Sequence, residues 1–278
     1  MGKSIKLLAL DLDGTLLNEK KEISPRTWAA LERARSQGVL VVPVTGRPSQ
    51  GVPQVVRTMP GLRYVVSSNG ATIRDIVTGE TLLEKHLSAD TCLLVLDKCA
   101  HVPMIRQAFR NGVGYLSRAD YNTLRDRYAG TSMLQYHLDT RQVLPGTVAE
   151  FLAAHRQPVE ELFFLTDSPR EKAGLRALLT GLPGIGFADP FPNDLEVIAG
   201  DIDKGEALRY LLNRLDIAPD QVLAMGDGGS DLPMLQAAGI GVAMANATEA
   251  VKAGADHITT SCDEDGVALA IEKFVLGD

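Results

Sequence analysis

An α/β fold, with a parallel sheet flanked by helices and an inserted α+β domain, is predicted for this 278-residue chain by three observations. Short apolar runs alternate with amphipathic helical stretches near the amino end, the pattern of βαβ units. The same alternation returns from about Asp201 after a less regular middle. Polar residues gather where the apolar runs stop, and in such sheets the carboxyl ends of the strands are where ligands bind.

The elements follow in order. Ile5–Leu10 is a strand that stops at Asp11. Ser24-Pro25 supplies an N-cap and a first-turn proline for a helix through Trp28, Leu31 and Ala34, ending near Gly38. Val39–Val44 is a second strand, ending at Thr45-Gly46, and Pro48 opens a helical stretch interrupted near Pro53. Tyr64–Ser67 is a third strand, ending at Asn69-Gly70. In the return, Lys204–Leu215 carries Ala207, Leu208, Leu211 and Leu212 at helical spacing, and Gln221–Met225 is a strand breaking into Gly226-Asp227-Gly228-Gly229. A helix through Leu232, Leu235 and Ala238 and a Gly239–Met244 strand follow, then short segments around Val251 and Ile258 and a helix from about Asp265. The middle offers helices at Ala89–Arg110, Pro145–His155 and Pro169–Leu179, and strands at Gly114–Leu116, Leu162–Leu165 and Ile185–Phe187. Chain continuity then makes residues 84–189 a domain inserted into one built from residues 1–83 and 190–278.

Composition narrows the function. Lysine and arginine number 28 against 35 aspartates and glutamates, a net charge of −7, so no general footprint for nucleic acid is expected. The three cysteines, Cys92, Cys99 and Cys262, form no CxxC pair, and Cys92 and Cys99 are expected as buried structural thiols. The five histidines show no metal-ligand spacing and are expected to be structural. The apolar stretch Leu7–Leu10 is halted by Asp11 and Asp13, too soon for a signal-peptide core, and no run reaches the ~20 apolar residues of a membrane span. A cytoplasmic protein without membrane or nucleic-acid partners, a monomer or small homo-oligomer, is the expectation.

The chemistry concentrates in two acidic strand ends. In Asp11-Leu12-Asp13-Gly14-Thr15-Leu16 the strand is ending, so Asp13 can turn toward Asp11 around Gly14. Neighbouring carboxylates repel unless a proton or cation intervenes, and a hard oxygen-liganded ion such as Mg²⁺ resolves the conflict. The plain alternative is a turn whose aspartates cap free backbone N–H groups. Gly226-Asp227-Gly228-Gly229-Ser230-Asp231 repeats the arrangement, with Asp227 the better ligand candidate and Asp231 equally suited to capping the next helix. Thr45, Gly46 and Lys204 offer donors to a phosphate, and Lys204 opens a helix, where the macrodipole disfavours a cation. A solvated surface lysine is the competing reading.

Together, Asp11–Leu16, Thr45–Arg47, Ser68-Asn69-Gly70, Lys204-Gly205, Gly226–Asp231 and the Gly241–Ala247 run resemble the haloacid dehalogenase superfamily, in its Cof-type branch of sugar-phosphate phosphatases. The resemblance implies a Rossmann-like core with an inserted α+β cap that closes during turnover. It implies a Mg²⁺-dependent phosphatase acting on small phosphorylated metabolites, sugar phosphates above all, through an aspartyl-phosphate. Asp11 would be the nucleophile and Asp13 the general acid and base. Mg²⁺ would be held by Asp11, Asp13 through its backbone carbonyl, and Asp227, with Asp231 supporting the site. Thr45, Gly46 and Lys204 would bind the transferring phosphate, and Arg47, Asn69 and Ser230 are further candidate substrate contacts. The family pattern has asparagine where this chain has Ser230, which removes an amide's reach. A phosphomutase on the same core, or a sensor that binds a phosphometabolite with little turnover, are the competing readings.

Overall fold

A computed structural model of the protein describes residues 4–131, 133–189 and 192–277. The chain divides into two units, one of Met1–Gly46, Pro53–Glu84 and Ile202–Asp278, the other of Arg47–Val52 and Lys85–Asp201.

The first unit rests on strands that are apolar because both their faces are covered. Strands β1 (Leu7–Leu10) and β2 (Leu40–Pro43) pair in parallel, Leu10 opposite Pro43, and Leu7 to Leu10 are wholly buried. Between them the helix Pro25–Ser36 starts as expected, with the Ser24 hydroxyl accepting from the Thr27 N–H and Pro25 in its first turn. Strand β3 (Tyr64–Ser67) continues into an antiparallel sheet with β4 (Thr72–Asp75) and β5 (Thr81–Glu84), a hairpin the sequence reading did not anticipate. Residues 48–57 hold two single turns, Ser49–Gly51 and Gln54–Arg57, in place of a longer helix, because Pro53 interrupts the backbone hydrogen bonding.

The second unit is a six-stranded sheet. Its strands are β6 (Ile105–Arg110), β7 (Val113–Ser117), β8 (Arg141–Leu144), β9 (Glu161–Leu165), β10 (Ile185–Ala188) and β11 (Asp194–Ala199), in the order β10-β11-β9-β6-β7-β8. One face packs on Cys92, Val95, Leu96, Val148, Leu152, Leu175 and Leu179 from the helices Ala89–Lys98, Val148–His155 and Pro169–Leu179. Cys92 and Cys99 are buried, free thiols, and burial pushes the Cys92 thiol up to about 12. The other face carries Ile105, Phe109, Leu116, Phe163 and Leu165 against Leu124 of the helix Arg118–Arg127.

Three expectations for the insert are corrected. Ala89–Arg110 is a helix only to Lys98, because Pro103 breaks the helical path and the alternation from Ile105 to Phe109 then serves a strand. The helices Arg118–Arg127 and Met133–Thr140, with strand β8, lie where no element was expected. The boundary at 189 falls short, since β11 pairs with β9 and β10 and carries the unit to Asp201, and residues 47–52 group with it. The sequence pattern does not reveal β11, because Asp194 and Glu196 interrupt its apolar run, yet both are buried.

Burial, opposed by Lys172 and Arg127, pushes the Asp194 carboxyl up to about 6. A folded pKa above the unfolded one means that stability falls as pH rises from roughly 4 to 6 and stays low beyond, by about 3 kcal/mol at most. Asp194→Asn is therefore expected to raise the melting temperature at pH 8 and to leave it nearly unchanged at pH 4, read by thermal unfolding at both pH values.

The chain then returns to the first unit with β12 (Val222–Gly226), β13 (Ile240–Ala243) and β14 (His257–Ile258), completing the all-parallel order β14-β13-β12-β1-β2. All five strands point the same way, so the residues after β1, β2 and β12 emerge on one edge of the sheet. Among the described residues no helix is long and apolar enough to cross a membrane.

Candidate active site

The edge formed by the ends of β1 and β12 holds the acidic cluster. Leu10 pairs with Met225, so Asp11 and Asp227 leave adjacent parallel strands nearly level with each other. Asp11, Asp227 and Asp231 offer carboxylate oxygens that all lie within 4.8 Å of one another. The Lys204 ammonium donates to Asp11 Oδ1 at 2.7 Å and to Asp231 Oδ1 at 2.6 Å. Lys204 is 2% exposed, so the surface-lysine reading fails. Burial works against its charge, but Asp11 and Asp231 outweigh it and hold the ammonium above the usual lysine range.

The local sequence explains how these groups arrive. Asp203 caps the helix Lys204–Leu215, its carboxylate accepting from the Glu206 N–H at 2.8 Å, which places Lys204 in the first turn. The Asn69-Gly70 turn packs against that helix start, and a Cβ on Gly70 would overlap the Asp203 carbonyl. Asp231 anchors its own loop, with Oδ2 accepting from the N–H groups of Asp227 and Gly228 at 3.0 and 2.9 Å. Gly226 leaves room for it, because a Cβ there would collide with the Asp231 side chain. Gly14, at φ +78°, lets the chain turn beneath Asp227, whose carboxylate a Cβ would overlap. Gly14→Ala should therefore displace Asp227 and lower turnover roughly a hundredfold, measured as kcat/KM beside a circular dichroism spectrum that reports the fold.

The other expected residues divide. Thr45 is buried, its N–H donating to the Val66 carbonyl and its carbonyl accepting from the Asn69 N–H. Asn69 lies against Gly46, where a Cβ would come within 3.0 Å of Asn69 Oδ1. Asp13 is half-buried and pairs with Lys21 at 2.7 Å, a partner the sequence reading did not name. Ser230 is half-buried and makes no side-chain hydrogen bond among the described residues. Arg47 belongs to the second unit, with its guanidinium 4.7 Å from the centre of the Tyr136 ring. Two more residues join the cluster: Thr15 donates to Asp227 Oδ1 at 3.3 Å, and Asn246 donates to the Gly14 carbonyl at 2.8 Å and to Asp227 Oδ2 at 3.2 Å. Asn246 lies in the Gly241–Ala247 run, so the signal for it was present without a role attached.

Electrostatics favour a cation here. Burial, then Asp231 and Asp227, raise the Asp11 carboxyl well above the usual range against the pull of Lys204. Burial and Asp231 push Asp227 up to about 6. Three carboxylates thus share one ammonium, and their donors are all oxygen. That set suits a hard divalent ion such as Mg²⁺ and would not select a softer metal.

The comparisons agree with this geometry. A family model described as haloacid dehalogenase-like hydrolase matches residues 8–271. The chain is 31% identical over 272 residues to the 5-amino-6-(5-phospho-D-ribitylamino)uracil phosphatase YcsE of Bacillus subtilis, covering 98% of this chain and 96% of that one. It is 29% identical over 287 residues to the phosphatase YwpJ of the same organism, covering 98% and 100%. A crystal structure of a haloacid dehalogenase-like hydrolase from Bacteroides thetaiotaomicron aligns with a TM-score of 0.79 at 31% identity, over 97% of this chain and 99% of that one. With the matched residues running through both acidic strand ends and the buried lysine between them, the chain belongs to the haloacid dehalogenase-like hydrolases.

Proposed function

We propose that this hydrolase is a Mg²⁺-dependent phosphomonoesterase of small phosphorylated metabolites, sugar phosphates first among them, working through an aspartyl-phosphate on Asp11. The observation that carries the reading is the buried Asp11 carboxylate, with Oδ1 held by Lys204 and the acids Asp227 and Asp231 beside it. The Lys204 bond fixes the orientation of the carboxylate and leaves Oδ2 to attack phosphorus. As that bond forms, the bond from phosphorus to the leaving oxygen breaks, and Asp13 gives the departing alkoxide its proton. Water then attacks the phosphorus of the aspartyl-phosphate, Asp13 takes the proton, and the bond to Asp11 breaks to restore the carboxylate. Thr45, the Gly46 N–H and Lys204 supply donors to the phosphoryl oxygens, where negative charge is held through transfer.

Asp11, Asp227 and the Asp13 carbonyl would hold Mg²⁺, with Asp231 fixing the loop that carries Asp227. When bound, the ion neutralises charge so that an anionic carboxylate can approach an anionic phosphate. The sugar-phosphate class draws support from the relative YcsE, whose name gives a phosphoribityl compound as its substrate.

The test is phosphate release from a panel of phosphorylated metabolites, with Mg²⁺ and with chelator. Release that requires the metal supports the reading, whereas isomerised ester without free phosphate would favour a mutase. Tight ligand binding with no release would favour a sensor. A second expectation is independent of activity: Mg²⁺ at about a hundred times its Kd stabilises the chain by about 2.7 kcal/mol. That gain in melting temperature should be largely lost in Asp227→Asn.

A further inference from the structure

The turn at residues 244–247, after β13, carries a side chain that joins two loops of the acidic cluster. The Met244 N–H donates to the Gly226 carbonyl at 3.1 Å, just before Asp227, and the Ala245 N–H donates to the Thr260 carbonyl at 3.2 Å. The Ala247 N–H closes the turn on the Met244 carbonyl at 3.0 Å. Asn246 is thus presented from backbone anchored on both sides, by the end of β12 and by the segment after β14. Its side chain is exposed, so hydrogen bonds and not packing fix its orientation.

The partners of the amide settle which way it points. The Cys262 N–H can only donate, so the Asn246 atom that meets it at 3.1 Å is the oxygen. The amide nitrogen therefore faces two acceptors, the Gly14 carbonyl at 2.8 Å and Asp227 Oδ2 at 3.2 Å. A carboxamide nitrogen has two N–H donors, and both are engaged. No donor is left for a phosphoryl oxygen, which separates Asn246 from Thr45 and Lys204. One side chain so reaches the turn after β1, the turn after β12 and the single turn Cys262–Glu264 after β14. Gly14 directly follows Asp13, so its carbonyl is one peptide unit from the Asp13 carbonyl that would hold the ion. The only other tie from this stretch to Asp227 among the described residues is the longer one from Thr15, at 3.3 Å to Oδ1.

We propose that Asn246 is a positioning residue that staples the Gly14 turn to Asp227, and that this staple sets the affinity of the acidic cluster for Mg²⁺ and its preference for Mg²⁺ over Ca²⁺. The inference rests on the reading of the cluster as a divalent-ion site. Asp11, Asp227 and Asp231 repel one another across the cluster, so turns without a tie relax apart. Groups that orient a metal's ligands without touching the metal raise its affinity, and removing one typically costs about 10–100-fold. Mg²⁺ demands a near-regular octahedron of close oxygens, whereas Ca²⁺ accepts longer and more variable distances. Two turns held at one spacing favour the ion with the stricter demand. Turns free to part lose more of their hold on Mg²⁺ than on Ca²⁺.

The test is calorimetric titration of the metal-free full chain with magnesium chloride and, separately, calcium chloride, for the unsubstituted protein and Asn246→Ala. The Kd for Mg²⁺ is expected to rise roughly tenfold or more in the variant and that for Ca²⁺ by less, so the ratio of the Ca²⁺ Kd to the Mg²⁺ Kd falls. Phosphate release measured at increasing Mg²⁺ should follow, the deficit of the variant shrinking as the ion is raised. A merely structural role would lower the melting temperature in chelator and leave both Kd values and their ratio alone. Asn246→Ser, whose hydroxyl stops short of the position of the amide nitrogen, is expected to behave as Asn246→Ala does, and it carries the test if the alanine variant does not fold. A Mg²⁺ Kd that does not rise, or a ratio that does not fall, overturns the proposal, as does an unsubstituted chain that binds neither ion. Mg²⁺-dependent phosphate release with a Kd unmoved by the substitution rejects the staple alone. Ion binding that depends on Asn246, with no phosphate release from any ester, leaves the staple standing and rejects the phosphatase reading.

Discussion

Asp11→Asn is expected to lower phosphate release by at least about a thousandfold while the protein stays folded. An amide cannot attack phosphorus, and loss of a nucleophile from a group that acts as a unit costs nearly the whole of catalysis. The substitution also has a predicted sign on stability. Asp11 is one of three clustered carboxylates, and burial and its acidic neighbours disfavour its charged form. Removing that charge leaves Lys204 paired with Asp231 and relieves repulsion, so the melting temperature in chelator should hold or rise. Rapid acid quench during turnover should trap phosphate on the unsubstituted chain and none on Asp11→Asn. Retained turnover in a folded variant would reject Asp11 as the nucleophile.

Lys204→Met should act in the opposite direction on stability. The methionine matches the stem of the lysine but leaves Asp11 and Asp231 buried without the ammonium that both accept from. Breaking a buried pair by removing one partner typically costs about 3–5 kcal/mol. In a chain of this size that corresponds to a fall in melting temperature of roughly 10 °C, and activity should drop by about a hundredfold or more from the lost phosphate donor. The double variant Lys204→Met, Asp231→Asn separates the two effects. It removes one of the stranded charges, so part of the stability should return while activity does not. Equal melting temperatures for Lys204→Met and the unsubstituted chain would contradict the buried ion network.

The two substitutions together distinguish a site organised around excess negative charge from an ordinary capped turn. A capping aspartate replaced by asparagine loses little, since asparagine caps nearly as well. Only in a cluster short of cations does loss of an acid and loss of the lysine move stability in opposite directions.

How far the residues alone reach can be judged from particular elements. Asp11, Thr45 and Asp227 were legible because each follows a short apolar run, and parallel pairing of such runs brings their ends to one sheet edge. Lys204 was legible from a local contradiction, a cation at a helix start, although only packing could bury it between two carboxylates. Asn246 stood in a noticed run without a role, because its bonds to Gly14 and Asp227 span 232 and 19 residues. Ser230 stands out against the family pattern, and among the described residues its hydroxyl makes no hydrogen bond.

The insert was the less legible half. Its β11 hides two buried acids in a strand, and the break before β6 depends on Pro103 ending one pattern just where another of different period begins. Arg141 and Gln107 lie 34 residues apart and carry no motif; their meeting needs Gly114 on the strand between them. Local periodicity and strand-end chemistry are properties of neighbours along the chain, so the sequence by itself determined the α/β core, the two acidic turns and the order of the site residues. Burial, charge compensation and unmet hydrogen bonds are properties of neighbours in space, and only the tertiary structure decided them. It decided that Lys204 is a buried counter-ion between Asp11 and Asp231, that Asp13 pairs with Lys21, and that the insert buries Asp194 and Glu196 in one strand.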